Sequence, residues 1–295
     1  MADELHVESH PELERPVLIA AFRGWNDGGQ GASLAGAYLA RAWAAQPFAS
    51  IDAESFYDFQ ATRPMVSLVE GEMRRIDWPE NTFLHAPLPG AGRDAVILLG
   101  VEPNLRWKSF SELIAGLAAD LNTDLVITLG SLLADVPHTR PAPVTGSATD
   151  PELIERLGLS ASRYEGPTGI VGVLHDACGQ KGIASASLWA AVPHYVSLTP
   201  SPRAAKALVD RLADLLGADV DTQELDEAAE AYQQQVSEAV ASDSETSAYV
   251  EELERRVDEL AEEMELPSGD AIAAELTQFL RERDENGGDD DVARG

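Results

Sequence analysis

Apolar residues in this chain gather into short runs that alternate with helical stripes, and that alternation predicts the fold class. Strand-like runs occupy residues 17–22, 51–56, 94–101, 125–129 and 183–192. Helical patterns lie between them: an Ala-rich run over 34–43, and a run over 109–121 that sets Leu113, Leu117 and Leu121 on one face. Further helices are predicted over 151–157, with Asp150 as N-cap and Pro151 in the first turn, over 172–178, and over 203–216, which Gly217 ends. Strands alternating with helices predict an α/β fold, a mostly parallel sheet flanked by helices, with an antiparallel insertion near 65–85.

Beyond residue 217 the period changes. Leu225, Ala229, Tyr232, Val236 and Ala239 form one heptad-like stripe, and Val250, Leu253, Val257, Leu260 and Met264 form a second. Ser242 and Glu245 have capping-box spacing, which predicts a helical hairpin broken near Asp243-Ser244. A last helix is expected to carry Ile272, Leu276, Phe279 and Leu280 after the break at Pro267-Ser268-Gly269-Asp270. The expected organisation is a flexible segment 1–12, an α/β domain 13–220, an acidic helical extension 221–284 and a disordered acidic tail 285–295.

Composition narrows the function. With 295 residues, 44% of them hydrophobic, the chain can bury a full α/β core. Its net charge is −30, and residues 221–295 hold 24 acidic against 5 basic side chains. That balance disfavours nucleic acid and anionic membrane surfaces as partners. No apolar run approaches the ~20 residues that span a bilayer. The N-terminus is acidic where a signal peptide is basic, so a cytoplasmic location is expected. The single cysteine, Cys178, excludes an internal disulfide framework. A buried thiol is expected there; the alternative is a nucleophile served by His175 one turn away. No metal-ligand set, phosphate-loop signature or complete catalytic constellation is visible, and no cofactor is expected.

Three stretches carry candidate chemistry. The first, Phe22-Arg23-Gly24-Trp25-Asn26-Asp27-Gly28-Gly29-Gln30-Gly31-Ala32-Ser33, joins a strand to a helix at the sheet's carboxyl end, where α/β folds gather ligands. In a structural reading Trp25 plugs the sheet edge, Asn26 and Asp27 satisfy turn or N-cap donors, and Gly24 and Gly28 supply unusual backbone angles. In a functional reading the outward N–H groups bind an anion or a partner's carbonyl. In the second stretch Gly130 is expected to turn the backbone before Asp135, His138, Thr139 and Arg140. There Asp135 and Arg140 can pair with His138 as proton donor or acceptor, Arg140 can read a carboxylate or phosphate, or the loop can pack against a neighbouring subunit. Third, His194 and Tyr195 follow the last strand, with Tyr195 expected to half-bury its ring.

The Phe-x-Gly-Trp-Asn-Asp-x-Gly motif resembles the opening signature of the proteasome assembly chaperone 2 family, especially its actinobacterial branch. Residues 130–141, Pro193-His194-Tyr195 and Pro200-Ser201-Pro202 resemble its later motifs, so the similarity spans roughly 15–220. The resemblance implies a fold similar to the purine nucleoside phosphorylase-like sandwich and a homo-oligomer, trimers among the known forms. It also implies a non-enzymatic scaffold or assembly factor whose partner is a protein, proteasome-related by this resemblance alone. The chain ends Val292-Ala293-Arg294-Gly295, without the hydrophobic-Tyr-any-residue tail that docks into proteasome pockets, so direct pocket docking is not expected. A competing reading is a small-ligand protein or enzyme of nucleoside phosphorylase type, using the glycine turn for an anion and Arg140 or His138 for the ligand. A third is an adaptor whose exposed acidic hairpin grips a partner.

Overall fold

The computed structural model describes residues 4–265 except 70–72, 149, 162–163 and 197. The last helix expected around 272–280 and the tail 285–295 lie outside the described residues. In chain order the elements are β1 (Leu5–Val7), β2 (Val17–Arg23), α1 (Gly31–Ala42), β3 (Gln46–Ile51), β4 (Met65–Val69), β5 (Met73–Asp77), β6 (Asn81–Leu88), β7 (Arg93–Val101) and α2 (Trp107–Asp120). Then follow β8 (Leu125–Ala134), β9 (Val144–Ala148), α3 (Pro151–Leu157), β10 (Ser160–Ala161), α4 (Ile170–Gln180), β11 (Ser185–Pro193), α5 (Pro202–Leu216), α6 (Gln223–Ala241) and α7 (Ser244–Glu265).

The unbroken apolar run of β2 is buried on both faces because β2 lies mid-sheet. It pairs parallel with β7 and β8, and β8 pairs parallel with β11. Antiparallel strands extend this parallel centre: β6, β3 and β1 beyond β7, and β9 beyond β11, with β10 parallel to β9. Side chains alternate across the pleat, so Val17, Ile19 and Ala21 meet the layer of α1 and α5, while Leu18, Ala20 and Phe22 meet that of α2 and α4. The expected α/β sheet flanked by helices is present, and its parallel strands carry the core.

Several local expectations change. Leu5, His6 and Val7, within the segment expected to be flexible, pair antiparallel with Ile51, Ser50 and Ala49; a three-residue strand is too short to declare a period. The third strand occupies Gln46–Ile51 rather than 51–56, because residues 53–62 turn instead. Gly130 does not turn the chain: β8 runs straight through it to Ala134. A Cβ there would sit 2.5 Å from Cε3 of Trp189 on β11, so glycine is needed to admit the indole. The insertion is split, β4 and β5 forming a separate two-stranded sheet while β6 joins the main one.

The helical hairpin breaks where expected, but Asp243 rather than Ser242 caps it, accepting from Glu245 N and Thr246 Oγ1, both at 3.0 Å. It is not a free arm. Leu225, Ala229, Tyr232 and Val236 of α6 and Val250 and Leu253 of α7 are buried, with α6 packed on α5. No described helix is long and apolar enough to cross a membrane.

Gly130→Ala is expected to lower unfolding stability by about 1–3 kcal/mol through overpacking against Trp189. Gly116→Ala, in α2 with no heavy atom within 4 Å of the new methyl, serves as its control and should be neutral or stabilising by up to about 1 kcal/mol. Urea denaturation of both variants measures the contrast.

Candidate functional site

The glycine turn at the end of β2 is held by two carboxylates of the chain itself. Asp27 is buried; its Oδ1 accepts from Ala32 N (2.9 Å) and Ser33 N (3.1 Å), and its Oδ2 from Ser33 Oγ (2.6 Å). It thereby caps the first turn of α1. Glu102, just beyond β7, accepts from Trp25 N through Oε2 (3.0 Å) and from Ile170 N, the first residue of α4, through Oε1 (2.9 Å). Asn26 is buried, with its carbonyl accepting from Ser131 N (2.9 Å) and its Nδ2 3.5 Å from Glu102 Oε1. Ser131 Oγ donates to Gly28 O (2.7 Å), locking the turn onto β8. Gly24, at φ +148°, makes the bend at which a Cβ would strike Glu102.

Asp27 thus satisfies donors at the start of α1, as expected, from outside the helix whose N-cap residue is Gln30, and the edge-plugging role expected of Trp25 is absent. Trp25 is 66% exposed, and its backbone amide is held by Glu102. Glu102 and Ser131 escaped sequence reasoning. The signal for both was their place at the carboxyl ends of apolar runs that become the two strands flanking β2.

The second group lies beyond the ends of β8 and β11, beneath α6 and α7. Asp135 and Arg140 do not pair with each other. Asp135 Oδ1 lies 3.0 Å from His194 Nδ1 and accepts from the Tyr249 hydroxyl (3.1 Å). Arg140 makes a bidentate pair with Asp258 (Nε–Oδ1 2.8 Å, Nη2–Oδ2 2.7 Å), and Thr139 donates to Glu254. Hydrogen bonding to Arg140 holds the Asp258 carboxyl below its ordinary range. The loop packs against helices of its own chain.

His138 sits at the centre, 3% exposed. The Tyr195 hydroxyl accepts from His138 N (2.8 Å) and lies 2.8 Å from Nδ1, while Nε2 is 3.0 Å from Ser237 Oγ on α6. A neutral ring satisfies this network: Tyr195 donates to Nδ1 and Nε2–H donates to Ser237. Burial, assisted by the Arg203 guanidinium, pushes the His138 pKa down, and burial pushes the Tyr195 hydroxyl up to about 12. The rings of His138, His194, Tyr195 and Tyr249 meet edge to face, with centroids 5.6–6.0 Å apart.

Among the described residues no hydrogen bond joins residues 24–28 or Glu102 to the Asp135–Arg140 loop, His194 or Tyr195. Cys178 is fully buried, its thiol pushed up to about 11, and His175 instead meets Thr128 Oγ1 (2.9 Å), its pKa pushed down to about 4 by burial. A nucleophilic pair is thus not assembled. Among the described residues no group of three or more His, Cys, Asp and Glu side chains is placed to hold a metal.

The profile of the PAC2 family matches residues 21–240. A PAC2 family protein from Streptomyces avermitilis is 47% identical, over 80% of this chain and 99% of that one, with a TM-score of 0.74. A Mycobacterium tuberculosis protein described as a proteasome-assembly chaperone homologue is 46% identical, over 79% of this chain and 99% of that one, with a TM-score of 0.72. An archaeal proteasome activator from Pyrococcus furiosus shares the fold at 21% identity, over 80% of this chain and 97% of that one, with a TM-score of 0.63. No curated protein matches the chain.

Glu102→Ala strands the Trp25 and Ile170 amides and is expected to cost about 1–3 kcal/mol in a thermal or urea melt. The His138 pKa is lower folded than unfolded, so the unfolded chain binds more protons between the two values and stability falls with pH below ~6.5. The protection factors of α6 amides, referred to the intrinsic exchange rate at each pH, should fall as the pH falls through that window, and His138→Gln should flatten the response.

Proposed function

The chain belongs to the PAC2 family, and we propose that it acts as a non-catalytic, proteasome-assembly-like scaffold that self-associates and docks a protein partner. A trimer is the form its family resemblance favours. The observation carrying this reading is that the polar groups of both candidate sites are consumed internally. Asp27 and Glu102 hold the amides an anion would use, and α6 and α7 cover the loop that would read a ligand. Among the side chains the carboxyl edge offers to solvent are three large apolar ones, Trp25 with Leu132 and Leu133 at the projecting end of β8, beside the exposed Arg23 and Gln30. Aromatic and aliphatic anchors of this kind suit protein docking. The 46% identity to a protein described as a proteasome-assembly chaperone homologue supports the partner class.

Trp25→Ala combined with Leu133→Ala is expected to weaken binding to purified proteasome α subunits by about 2 kcal/mol, roughly thirtyfold, in a sedimentation assay, with the melting curve unchanged. Phosphorolysis of a nucleoside, or a nucleoside that raises the melting temperature while α subunits fail to bind, would overturn the reading in favour of the small-ligand alternative.

A further inference from the structure

At the carboxyl edge of the sheet β8 and β11 outrun β2. The β2–β8 ladder stops at Ala21–Leu129, and a single bridge, Asp27–Ser131, follows before the turn leaves for α1. The β8–β11 ladder continues to Ala134–Pro193. Along a strand the N–H and carbonyl of one residue point to the same side, and successive residues alternate. Val126 N donates to Ala184 O (2.9 Å) and Ala134 O accepts from His194 N (3.2 Å), both toward the β11 side, whereas Ser131 N donates to Asn26 O (2.9 Å), toward the β2 side. Leu133, two residues beyond Ser131, therefore turns its N–H and carbonyl to the β2 side, where β2 has already ended. Among the described residues neither group has a hydrogen-bond partner.

Side chains around this gap suit an incoming strand. Leu129 packs into the core on the α1 and α5 side and Val126 into that on the α2 and α4 side, so alternation sets Leu133 on the first face and Leu132 on the second. Both leucines are exposed, as is Trp25 on the turn that replaces β2. Residues 131–134 include no proline and no charged side chain, the usual guards of an open strand edge. The edge is also preformed: β11 pairs with β8 to its last residue, and Arg140 in the loop beyond is tied to Asp258 of α7. We infer that this edge takes one extended segment of a protein partner, whose main chain exchanges hydrogen bonds with Leu133 and whose alternate apolar side chains lie against Leu132 on one face and Leu133 on the other. Strand addition of this kind draws affinity from the main chain and specificity from alternate side chains. A helix has its mid-length donors and acceptors bonded internally, whereas a strand offers a free pair at every second residue. The net charge of −30, with Asp135 at the end of the edge, selects a segment carrying basic rather than acidic residues. The inference rests on the partner docking proposed above and names its mode, main-chain pairing beside the side-chain anchors.

The test is residue-resolved hydrogen–deuterium exchange on the full wild-type chain, alone and saturated with purified proteasome α subunits. Alone, the Leu133 amide should exchange near its intrinsic rate while the Leu132 and Ala134 amides, turned toward β11, are protected. With α subunits bound, Leu133 should slow at least about tenfold, the factor one hydrogen bond supplies. A companion variant, Leu133→Pro, deletes the outward donor at a position where the fold does not use it. It should bind α subunits about tenfold more weakly than Leu133→Ala in the sedimentation assay, with both variants folded by circular dichroism. A Leu133 amide already protected in the free chain overturns the inference, because the edge is then occupied. Bound α subunits that leave Leu133 exchanging as fast as before also overturn it, and leave docking through side chains standing. Failure of the wild-type chain to bind α subunits overturns the docking reading and this inference together.

Discussion

Where the Glu102 carboxylate sits decides the character of the whole carboxyl edge of the sheet. It accepts from the Trp25 and Ile170 amides at 3.0 and 2.9 Å, and so ties the end of β2 and the end of β7 to the start of α4. Asp27 does the same for α1. Helix N-termini at this edge present unpaired donors and positive potential, which in many α/β proteins hold a ligand's phosphate. Here the negative charge comes from the chain, so the edge is closed to anions and rigid without one. Gly24 and Gly169 are part of the same device: a Cβ at either would overlap Glu102 or Asn26.

The acidic extension follows a related logic. Cations of the α/β body lie along the seam it covers, with Arg41 paired to Glu224, Lys206 to Asp226 and Arg140 to Asp258. These pairs are largely exposed and each is worth little on its own, about 0–1 kcal/mol. They orient the hairpin, while the buried heptad positions of α6 and α7 and the His138–Tyr195–Ser237 network hold it. Seating the extension this way buries His138 and engages Asp135, Thr139 and Arg140 of the loop after β8 in bonds to α7.

Much of the fold was legible because its signals are periodic. The continuous apolar runs of β2, β7 and β8, the capped start of α3 and the heptads of α6 and α7 each declare an element within a few residues. What could not be read was partnership. Asp135 and Arg140 are five residues apart and of opposite charge, yet each bonds α7, 114 and 118 residues away, across a loop punctuated by Pro137 and Pro141. Gly130 looked like a turn because a glycine after a strand usually is one; only its contact with Trp189 shows otherwise. Glu102 carried no motif, since a single carboxylate becomes a structural hub only when the topology brings two amides to it.

The amides of the glycine turn and of the starts of α1 and α4 are already taken by Asp27 and Glu102. Hydrogen–deuterium exchange of the full chain, with and without saturating phosphate, reads the Trp25, Ala32, Ser33 and Ile170 amides directly. Identical protection in both conditions is the predicted result, because Asp27 and Glu102 hold those groups. Selective protection of the same amides by phosphate would show that the carboxylates yield to an anion, and would contradict the account.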